Sequence, residues 1–95
     1  MTNSAIVARR YLLSGRVQGV GFRYFTQRLA TEIGVTGWVK NLEDGTVESQ
    51  VAGSQEQIDL FKAGLTEGPA ASRVDQIDER ELNHIPSWSR FDIAF

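Results

Sequence analysis

The sequence predicts an α+β domain of the ferredoxin-like type, in which two helices cover one face of an antiparallel sheet. Two observations support this prediction. Segments with strand-like alternation and segments with helical spacing follow each other in the order βαββαβ, with a short extra strand at the end. The length of 95 residues allows one modest hydrophobic core. We therefore expect residues 1–95 to form a single domain.

The first strand and the first helix are separated by a glycine-rich loop. Residues 7–13 are rich in β-forming residues and predict the strand. Three glycines between Gly15 and Gly21 indicate the loop. The helix is predicted from apolar residues at steps of three and four, followed by a glycine typical of a helix C-cap. These apolar residues are Phe22, Phe25, Leu29 and Ile33, and the glycine is Gly34.

A hairpin is predicted between the second and third strands. Residues 35–40 predict the second strand, and Gly37 inside it indicates that another backbone or a ligand approaches closely. Asp44-Gly45 is a strong turn signal. Residues 46–52 alternate in polarity and predict a half-buried third strand. Its buried face is expected to carry Val47, Ser49 and Val51.

The second helix has clear signals at both ends. Ser54 followed by Gln57 matches a capping box at the start. Gly68-Pro69 is typical of a helix end. Between these signals an apolar stripe predicts the buried face of the helix. It consists of Ile58, Phe61 and Leu65.

Two strands complete the order. Residues 73–82 predict a fourth strand, but Val74 and Ile77 break its period of two, so we expect a bulge there. Phe91, Ile93 and Phe95 alternate and predict the short last strand.

Composition excludes several classes of site. The chain has no cysteine and one histidine, which excludes disulfides, thiolate metal sites and cysteine nucleophiles, and also histidine-rich metal clusters. No apolar run approaches the roughly 20 residues that span a bilayer. In residues 1–10 the charges follow a short apolar stretch, the reverse of a signal peptide. We therefore expect a cytoplasmic protein without membrane contact. A monomer is the default expectation, although the exposed face of the sheet could pair.

The net charge of −2 conceals an asymmetry along the chain. Residues 1–40 carry six Lys or Arg and one acid, whereas residues 41–95 carry four basic and eleven acidic side chains. One interpretation is a positive site in the first half that attracts a small anion. The other, which charge alone favours, is that the two halves neutralise each other across the fold.

The loop Gly15–Arg23 has the features of a site for an anion. Gly19 and Gly21 can bring the backbone close to a ligand, and the N–H groups at the start of the following helix have no intrahelical partners. Arg23 lies in the first helical turn, where its guanidinium can reach the same anion. The loop lacks the lysine of a Walker motif, and Tyr24 occupies the position of the third glycine of a dinucleotide motif. A tight connection with a solvent-facing arginine explains the spacing equally well.

Asn41 lies at the predicted end of the second strand, just before the hairpin. Asparagine commonly caps turns, which is one interpretation of this residue. Its amide also offers both a donor and an acceptor, so it can orient a polar atom of a ligand. The pattern by itself leaves both roles open.

Two segments together resemble a known family. Gly15-Arg-Val-Gln-Gly-Val-Gly-Phe-Arg23 and Gly37-Trp-Val-Lys-Asn41 through Asp44-Gly45-Thr-Val-Glu48 closely resemble the two signatures of the acylphosphatase family. The resemblance continues through residues 68–74 to residues 91–95 and covers almost the whole chain. It implies hydrolysis of an acyl phosphate to a carboxylate and inorganic phosphate, without a metal ion or cofactor.

The resemblance also implies roles for individual residues. Arg23 and Asn41 are the implied catalytic residues, with Asn41 holding the attacking water. The backbone amides of the loop, together with Arg23, are implied to bind the phosphoryl group. The amides are those of Gln18, Gly19, Val20, Gly21 and Phe22. The implied partner is a small-molecule acyl phosphate.

The sequence leaves three alternatives to a free-standing enzyme. An RNA-binding module shares the βαββαβ order, but residues 46–52 lack the aromatic residues that it needs and the net charge is negative, so no nucleic acid is expected. The main alternative is a non-catalytic small-anion-binding or regulatory domain. The presence of Arg23 and Asn41 favours the enzyme. The third is a domain of a larger carbamoyl- or phosphoryl-handling enzyme, which the span from Met1 to Phe95 makes less expected.

Overall fold

A computed structural model describes residues 5–95, and its elements follow the predicted order. Residues 1–4, and with them the start of the segment compared above with a signal peptide, lie outside the described part. The strands are β1 (Ile6–Arg16), β2 (Thr36–Asn41), β3 (Val47–Ser54), β4 (Arg73–Glu81) and β5 (Phe91–Ile93). The helices are α1 (Phe22–Ile33) and α2 (Gln55–Glu67).

The strands form one sheet in the order β4-β1-β3-β2-β5. The pairs between β1, β2, β3 and β4 are antiparallel, as predicted. The last strand differs, because β5 pairs parallel with β2 and makes the sheet mixed. Residues 82–90 carry the chain from β4 at one edge of the sheet to β5 at the other, and β5 thereby runs in the direction of β2.

The core lies between one face of the sheet and the two helices. Phe61 of α2 is fully buried near its centre, with its ring centroid 6.1 Å from that of Tyr11 and 5.8 Å from that of Phe91. A buried side chain of this size stabilises the fold by about 1.5–3 kcal/mol. The predicted α2 stripe is confirmed, and so is the buried face of β3. The buried residues are Ile58, Phe61 and Leu65 of α2 and Val47, Ser49 and Val51 of β3.

The buried face of helix α1 overlaps the predicted one, since Phe22 is buried and Leu29 and Ile33 pack against the core, but it is rotated toward smaller residues. Its fully buried residues are Phe22, Thr26 and Ala30, whereas Phe25 and Leu29 are only partly buried. Small side chains at the contact allow the helix to lie close to the sheet. The Thr26 hydroxyl can be buried because it donates a 2.8 Å hydrogen bond to the carbonyl of Phe22. The larger side chain of Leu29 is partly buried against the core and also lies against Gly64 of α2.

The predicted helix caps are confirmed. Gly34 adopts a left-handed conformation with φ of 97°, and its N–H donates to the carbonyl of Ala30 at 2.8 Å. At the start of α2 the Ser54 hydroxyl accepts from the Gln57 N–H, and the Gln57 side chain accepts from the Ser54 N–H. This reciprocal pair is the expected capping box.

The predicted bulge in β4 is also present. Ser14 pairs with Gln76 and Gly15 pairs with Val74, so that Asp75 has no opposite residue in β1. β1 therefore extends past its predicted end, and Gly15 belongs to the strand and not to the loop. The glycine is required there, because a Cβ at Gly15 would overlap the backbone carbonyl of Arg73.

The close approach predicted at Gly37 is that of a neighbouring strand. Gly37 has φ of 144°, and a Cβ at this position would overlap the backbone carbonyl of Gln50 in β3. This contact sets the spacing between β2 and β3 at Gly37. Asn41, four residues later, is the last residue of β2. The hairpin that follows is thus held at a defined position relative to the sheet.

Candidate active site

The glycine loop is held at both ends by buried side chains. Val17 is fully buried and Phe22 nearly so, and the residues between them turn from β1 into α1. Gly19 and Gly21 turn the chain with φ of 74° and 77°, values that side-chain-bearing residues rarely adopt. Val20 packs against the core between these two turns. The buried side chains therefore fix the backbone of the loop on the side of the core, and its other side is open to solvent.

The N–H groups of this loop are free to bind an anion. Gly21 is the N-cap of α1 and offers no side chain to satisfy the first helical N–H groups. Within residues 5–95, no N–H from Gln18 to Phe22 donates to a backbone acceptor in the turns and loops. The helix dipole adds partial positive charge at the same place. A curved run of such N–H groups is a general anion-binding arrangement.

Arg23 adds a full positive charge beside the loop. It is half-buried in the first turn of α1, and no acidic side chain of the described residues forms an ion pair with it. Its guanidinium carbon lies 5.1 Å from the ring centroid of Phe95, the distance of a cation–π contact. The guanidinium therefore keeps its hydrogen-bond donors available for an anion.

Gln18 connects the loop to the hairpin between β2 and β3. Its side-chain nitrogen donates to the carbonyls of Leu42 and Thr46, each at 2.8 Å. The side chain is therefore occupied by the hairpin, and only the backbone N–H of Gln18 remains for the predicted binding of phosphate. The hairpin itself is closed by Asp44, which accepts from the N–H and hydroxyl of Thr46. The hydroxyl hydrogen bond is the main reason why the pKa of the Asp44 carboxyl is lowered.

Asn41 faces the loop from the end of β2. Its side-chain oxygen Oδ1 is buried and has no hydrogen-bond partner among the described residues. A buried acceptor without a partner costs about 1–3 kcal/mol, and most such atoms are paired in folded proteins. The oxygen of Asn41 is thus available to accept a hydrogen bond from a bound molecule.

The loop, Arg23 and Asn41 line one cavity of about 240 Å³. Of the residues predicted for the site, the cavity brings together Gly19, Gly21, Phe22, Arg23 and Asn41. The side chains of Gln18 and Val20 point to the hairpin and the core instead. Four further residues of the lining were not predicted: Val17, Tyr24, Ile93 and Phe95.

The contribution of the last residues to the cavity has a structural reason. The predicted strand 91–95 ends at Ile93, although the N–H of Ala94 still donates to the carbonyl of Val39 at 2.8 Å. Phe95 then leaves the sheet and is 98% exposed. The alternation of Phe91, Ile93 and Phe95 gave no signal for this, because it also matches a strand that continues to its end.

A larger groove of about 530 Å³ lies next to this cavity and shares Gly21 and Tyr24 with it. The lining of the groove contains neither Arg23 nor Asn41, and it includes the acidic Glu32 as well as Arg28. The smaller cavity, with free N–H groups and a free arginine, is therefore the better site for an anion.

Within residues 5–95, no group of three or more His, Cys, Asp or Glu side chains is arranged to hold a metal ion. The helices of the same residues are too short or too polar to cross a membrane.

Comparisons with known proteins match the sequence and the fold over most of the chain. The family model described as acylphosphatase matches residues 9–93. An acylphosphatase of Mannheimia succiniciproducens is 43% identical over 88 residues, which cover 93% of this chain and 98% of the relative. The crystal structure of acylphosphatase from Bacillus subtilis superposes with a TM-score of 0.91 at 37% identity and covers 94% of this chain and 99% of its own.

A third match is to part of a much longer protein. The crystal structure of HypF from T.kodakarensis superposes with a TM-score of 0.83 at 34% identity, covering 94% of this chain but 12% of the HypF chain. The relatives that match over their whole length are acylphosphatases. This chain belongs to the acylphosphatase family.

Proposed function

We propose that the cavity between the glycine loop and the β2–β3 hairpin carries out the hydrolysis of acyl phosphates that membership of the acylphosphatase family assigns to this chain. One observation carries the assignment of the site. Asn41, whose side-chain oxygen is buried and has no partner within residues 5–95, lines the same cavity as Arg23 and the loop. An anion site and a site for a water molecule thus lie side by side.

The phosphoryl group binds at the loop. The backbone N–H groups of Gln18, Gly19, Val20, Gly21 and Phe22 surround its non-bridging oxygens, and the Arg23 guanidinium donates to the same oxygens. Phosphoryl transfer depends chiefly on positioning and on stabilising the charge of the transferred group. These donors remain in place throughout the reaction because Val17 and Phe22 hold the loop from the core.

The attacking water binds at Asn41. Its Oδ1 accepts a hydrogen bond from the water, which directs a lone pair of the water oxygen at phosphorus. Asn41 is held in place because it is the last residue of β2, where it pairs with Val47 of β3. A water in this position reacts as an intramolecular nucleophile, and its orientation is the contribution of Asn41 to the rate.

The reaction needs no general acid to protonate the leaving group. The water oxygen forms a bond to phosphorus, the bond between phosphorus and the acyl oxygen breaks, and the electron pair leaves with the carboxylate. The conjugate acid of this leaving group has a pKa of about 4, so the carboxylate departs unprotonated. The proton of the water passes to a non-bridging oxygen of the phosphate. The products are one carboxylate and one dihydrogen phosphate ion.

The transfer of the proton to the substrate follows from the lining of the cavity. The described residues around it include no Asp, Glu or His side chain that could accept the proton. In the proposed reaction the substrate supplies the base, and the loop and Arg23 supply the charge stabilisation, so no metal ion or cofactor takes part.

We also propose that the chain acts as a monomer and in the cytoplasm. Light scattering against the chain mass of 10.6 kDa tests the first of these.

The decisive experiment compares the wild type with Asn41→Ala in excess EDTA. Release of phosphate from acetyl phosphate measures turnover, and competitive inhibition by inorganic phosphate measures occupancy of the anion site. We expect kcat of Asn41→Ala to fall about 100-fold or more, with the inhibition constant of phosphate changed less than about twofold. Asn83→Ala, at an exposed loop position, is the matched control and should behave as the wild type.

Other outcomes separate the alternatives. If the purified wild type binds phosphate but releases none from acetyl phosphate, the cavity is a receptor for an anion and the enzymatic proposal fails. If Asn41→Ala loses phosphate binding as strongly as turnover, Asn41 belongs to the anion site and does not hold the water. A rate that depends on deprotonation of a protein side chain would refute the transfer of the proton to the substrate.

A further inference from the structure

Phe95 places an unshielded aromatic ring at the mouth of the cavity. The residue is 98% exposed, the largest exposure among the large hydrophobic residues within positions 5–95. The ring nevertheless lines the cavity and lies 5.1 Å from the guanidinium carbon of Arg23. An exposed hydrophobic side chain beside a binding site commonly marks a surface that a ligand covers.

The sheet determines where this ring lies. Val39 of β2 pairs with Ile93, and the carbonyl of Val39 also accepts from the N–H of Ala94, so the parallel pairing continues just past the end of β5. Phe95 follows directly and stands beside the end of β2, where Asn41 lies. The ring is therefore adjacent to both proposed catalytic residues.

The cavity divides into a charged part and an apolar part. The loop N–H groups and Arg23 provide the positive charge, whereas Ile93 and Phe95 provide an apolar wall at the opening. An acyl phosphate likewise has a charged part and an uncharged part, because its dianionic phosphate is joined through one oxygen to an acyl group. When the phosphate occupies the loop, the acyl carbon lies only two bonds from phosphorus and must meet the wall of the cavity.

We propose that Phe95 is a specificity-determining residue that contacts the acyl group of the substrate. The proposal rests on the function proposed above and narrows its substrate class to acyl phosphates with an apolar acyl group, above all an aromatic one. An aromatic acyl group covers the exposed face of Phe95 and can stack on it in an offset or edge-to-face arrangement. A short acyl group such as acetyl leaves most of the ring in water.

The test is the selectivity between two substrates that differ only in the acyl group. kcat/KM is measured for benzoyl phosphate and for acetyl phosphate with the wild type, Phe95→Ala and Phe95→Leu. We expect the ratio of benzoyl to acetyl kcat/KM to fall about five- to tenfold in Phe95→Ala, because the ring contact is lost. Phe95→Leu keeps an apolar surface and should lose selectivity to a smaller extent.

A matched control removes an exposed apolar side chain elsewhere. Leu60 on α2 is 56% exposed and lies outside the cavity, so Leu60→Ala should keep the wild-type ratio. The inhibition constant of inorganic phosphate is measured in each variant, because phosphate lacks an acyl group and reports only on the loop and Arg23.

Two results would overturn the proposal. An unchanged ratio in Phe95→Ala would show that the ring does not contact the acyl group. An equal loss on both substrates, accompanied by weaker inhibition by phosphate, would assign Phe95 to the positioning of Arg23 and not to selectivity. Failure of the underlying function is seen separately, as a wild type that hydrolyses neither substrate, and both proposals then fall.

Discussion

The side-chain nitrogen of Gln18 lies 2.8 Å from the carbonyl oxygen of Leu42. A second hydrogen bond of the same length joins it to the carbonyl of Thr46. One side chain of the loop thereby binds both arms of the hairpin. Since the loop holds the anion site and Asn41 immediately precedes the hairpin, this link sets the distance between the two halves of the cavity.

Removing the donors of Gln18 should affect stability and turnover together. Gln18→Met keeps the length of the side chain but donates nothing, and we expect a loss of about 1–2 kcal/mol in the free energy of unfolding. We also expect kcat to fall about tenfold, because the water site shifts relative to the phosphate. Denaturant unfolding and steady-state kinetics measure the two effects. A wild-type kcat in Gln18→Met would show that the loop and the hairpin keep their positions independently.

Arg23 should be replaceable by neither alanine nor lysine. Lysine keeps the charge but cannot form two parallel hydrogen bonds, so we expect Arg23→Lys to lose at least about tenfold in kcat/KM. Arg23→Ala should lose about 10³-fold, as is typical of an arginine that stabilises a transferred phosphoryl group. Competitive inhibition by phosphate should weaken in both variants.

The control for charge alone is Arg28→Ala, since Arg28 lies on the same helix but lines the neighbouring groove. We expect kcat/KM within about twofold of the wild type at moderate salt, where exposed charges are screened. Similar losses in Arg28→Ala and Arg23→Ala would mean that the general positive charge of α1, and not the geometry of Arg23, accounts for the activity.

Two glycines of the β2–β3 region should differ sharply in their tolerance of alanine. At Gly37 a Cβ would overlap the backbone of Gln50, and the φ of 144° is unfavourable for alanine, so Gly37→Ala should cost more than about 3 kcal/mol. At Gly45 the space is open and only the φ of 92° is unfavourable. Gly45→Ala should therefore cost about 1–2 kcal/mol. Denaturant unfolding measures both, and equal costs would contradict the close contact between the strands.

The carboxylate of Glu79 should contribute to the acid sensitivity of the fold. A 2.7 Å hydrogen bond from Lys62 lowers the pKa of Glu79 below its ordinary value of 4.5, and a hydrogen bond from the buried Tyr11 hydroxyl lowers this pKa further. Because the pKa is lower in the folded state, the stabilisation is complete above the ordinary value and is lost as the pH falls through the folded one. We expect the stability advantage of the wild type over Glu79→Gln to shrink between about pH 5 and pH 3.

Glu67→Gln is the comparison for this measurement, because Glu67 is exposed at the end of α2 and forms no ion pair within residues 5–95. Urea unfolding of the three proteins at each pH gives the free energies. An identical acid dependence in the wild type and Glu79→Gln would show that the carboxylate is not stabilised in the fold.

The sequence by itself determined the features that depend on neighbouring residues. Ser54 and Gln57 cap α2 through contacts three residues apart, and the left-handed turn at Gly34 requires only the preceding helix. The buried stripe of α2 follows from helical spacing, since Ile58, Phe61 and Leu65 recur on one side of the helix. The two signature segments likewise placed Arg23 at a helix start and Asn41 at a strand end, as the structure has them.

Only the tertiary structure decided the features that depend on residues far apart in the chain. The parallel pairing of β5 with β2, the hydrogen bonds of Gln18 to the hairpin and the position of Phe95 over Arg23 join segments separated by about 25 to 70 residues. The buried face of α1 depends on which side chains allow close approach to the sheet, so Thr26 and Ala30 are buried together with Phe22, whereas Phe25 is only partly buried. Local periodicity contains no information about such contacts, because their energy arises only after the sheet and helices have packed together.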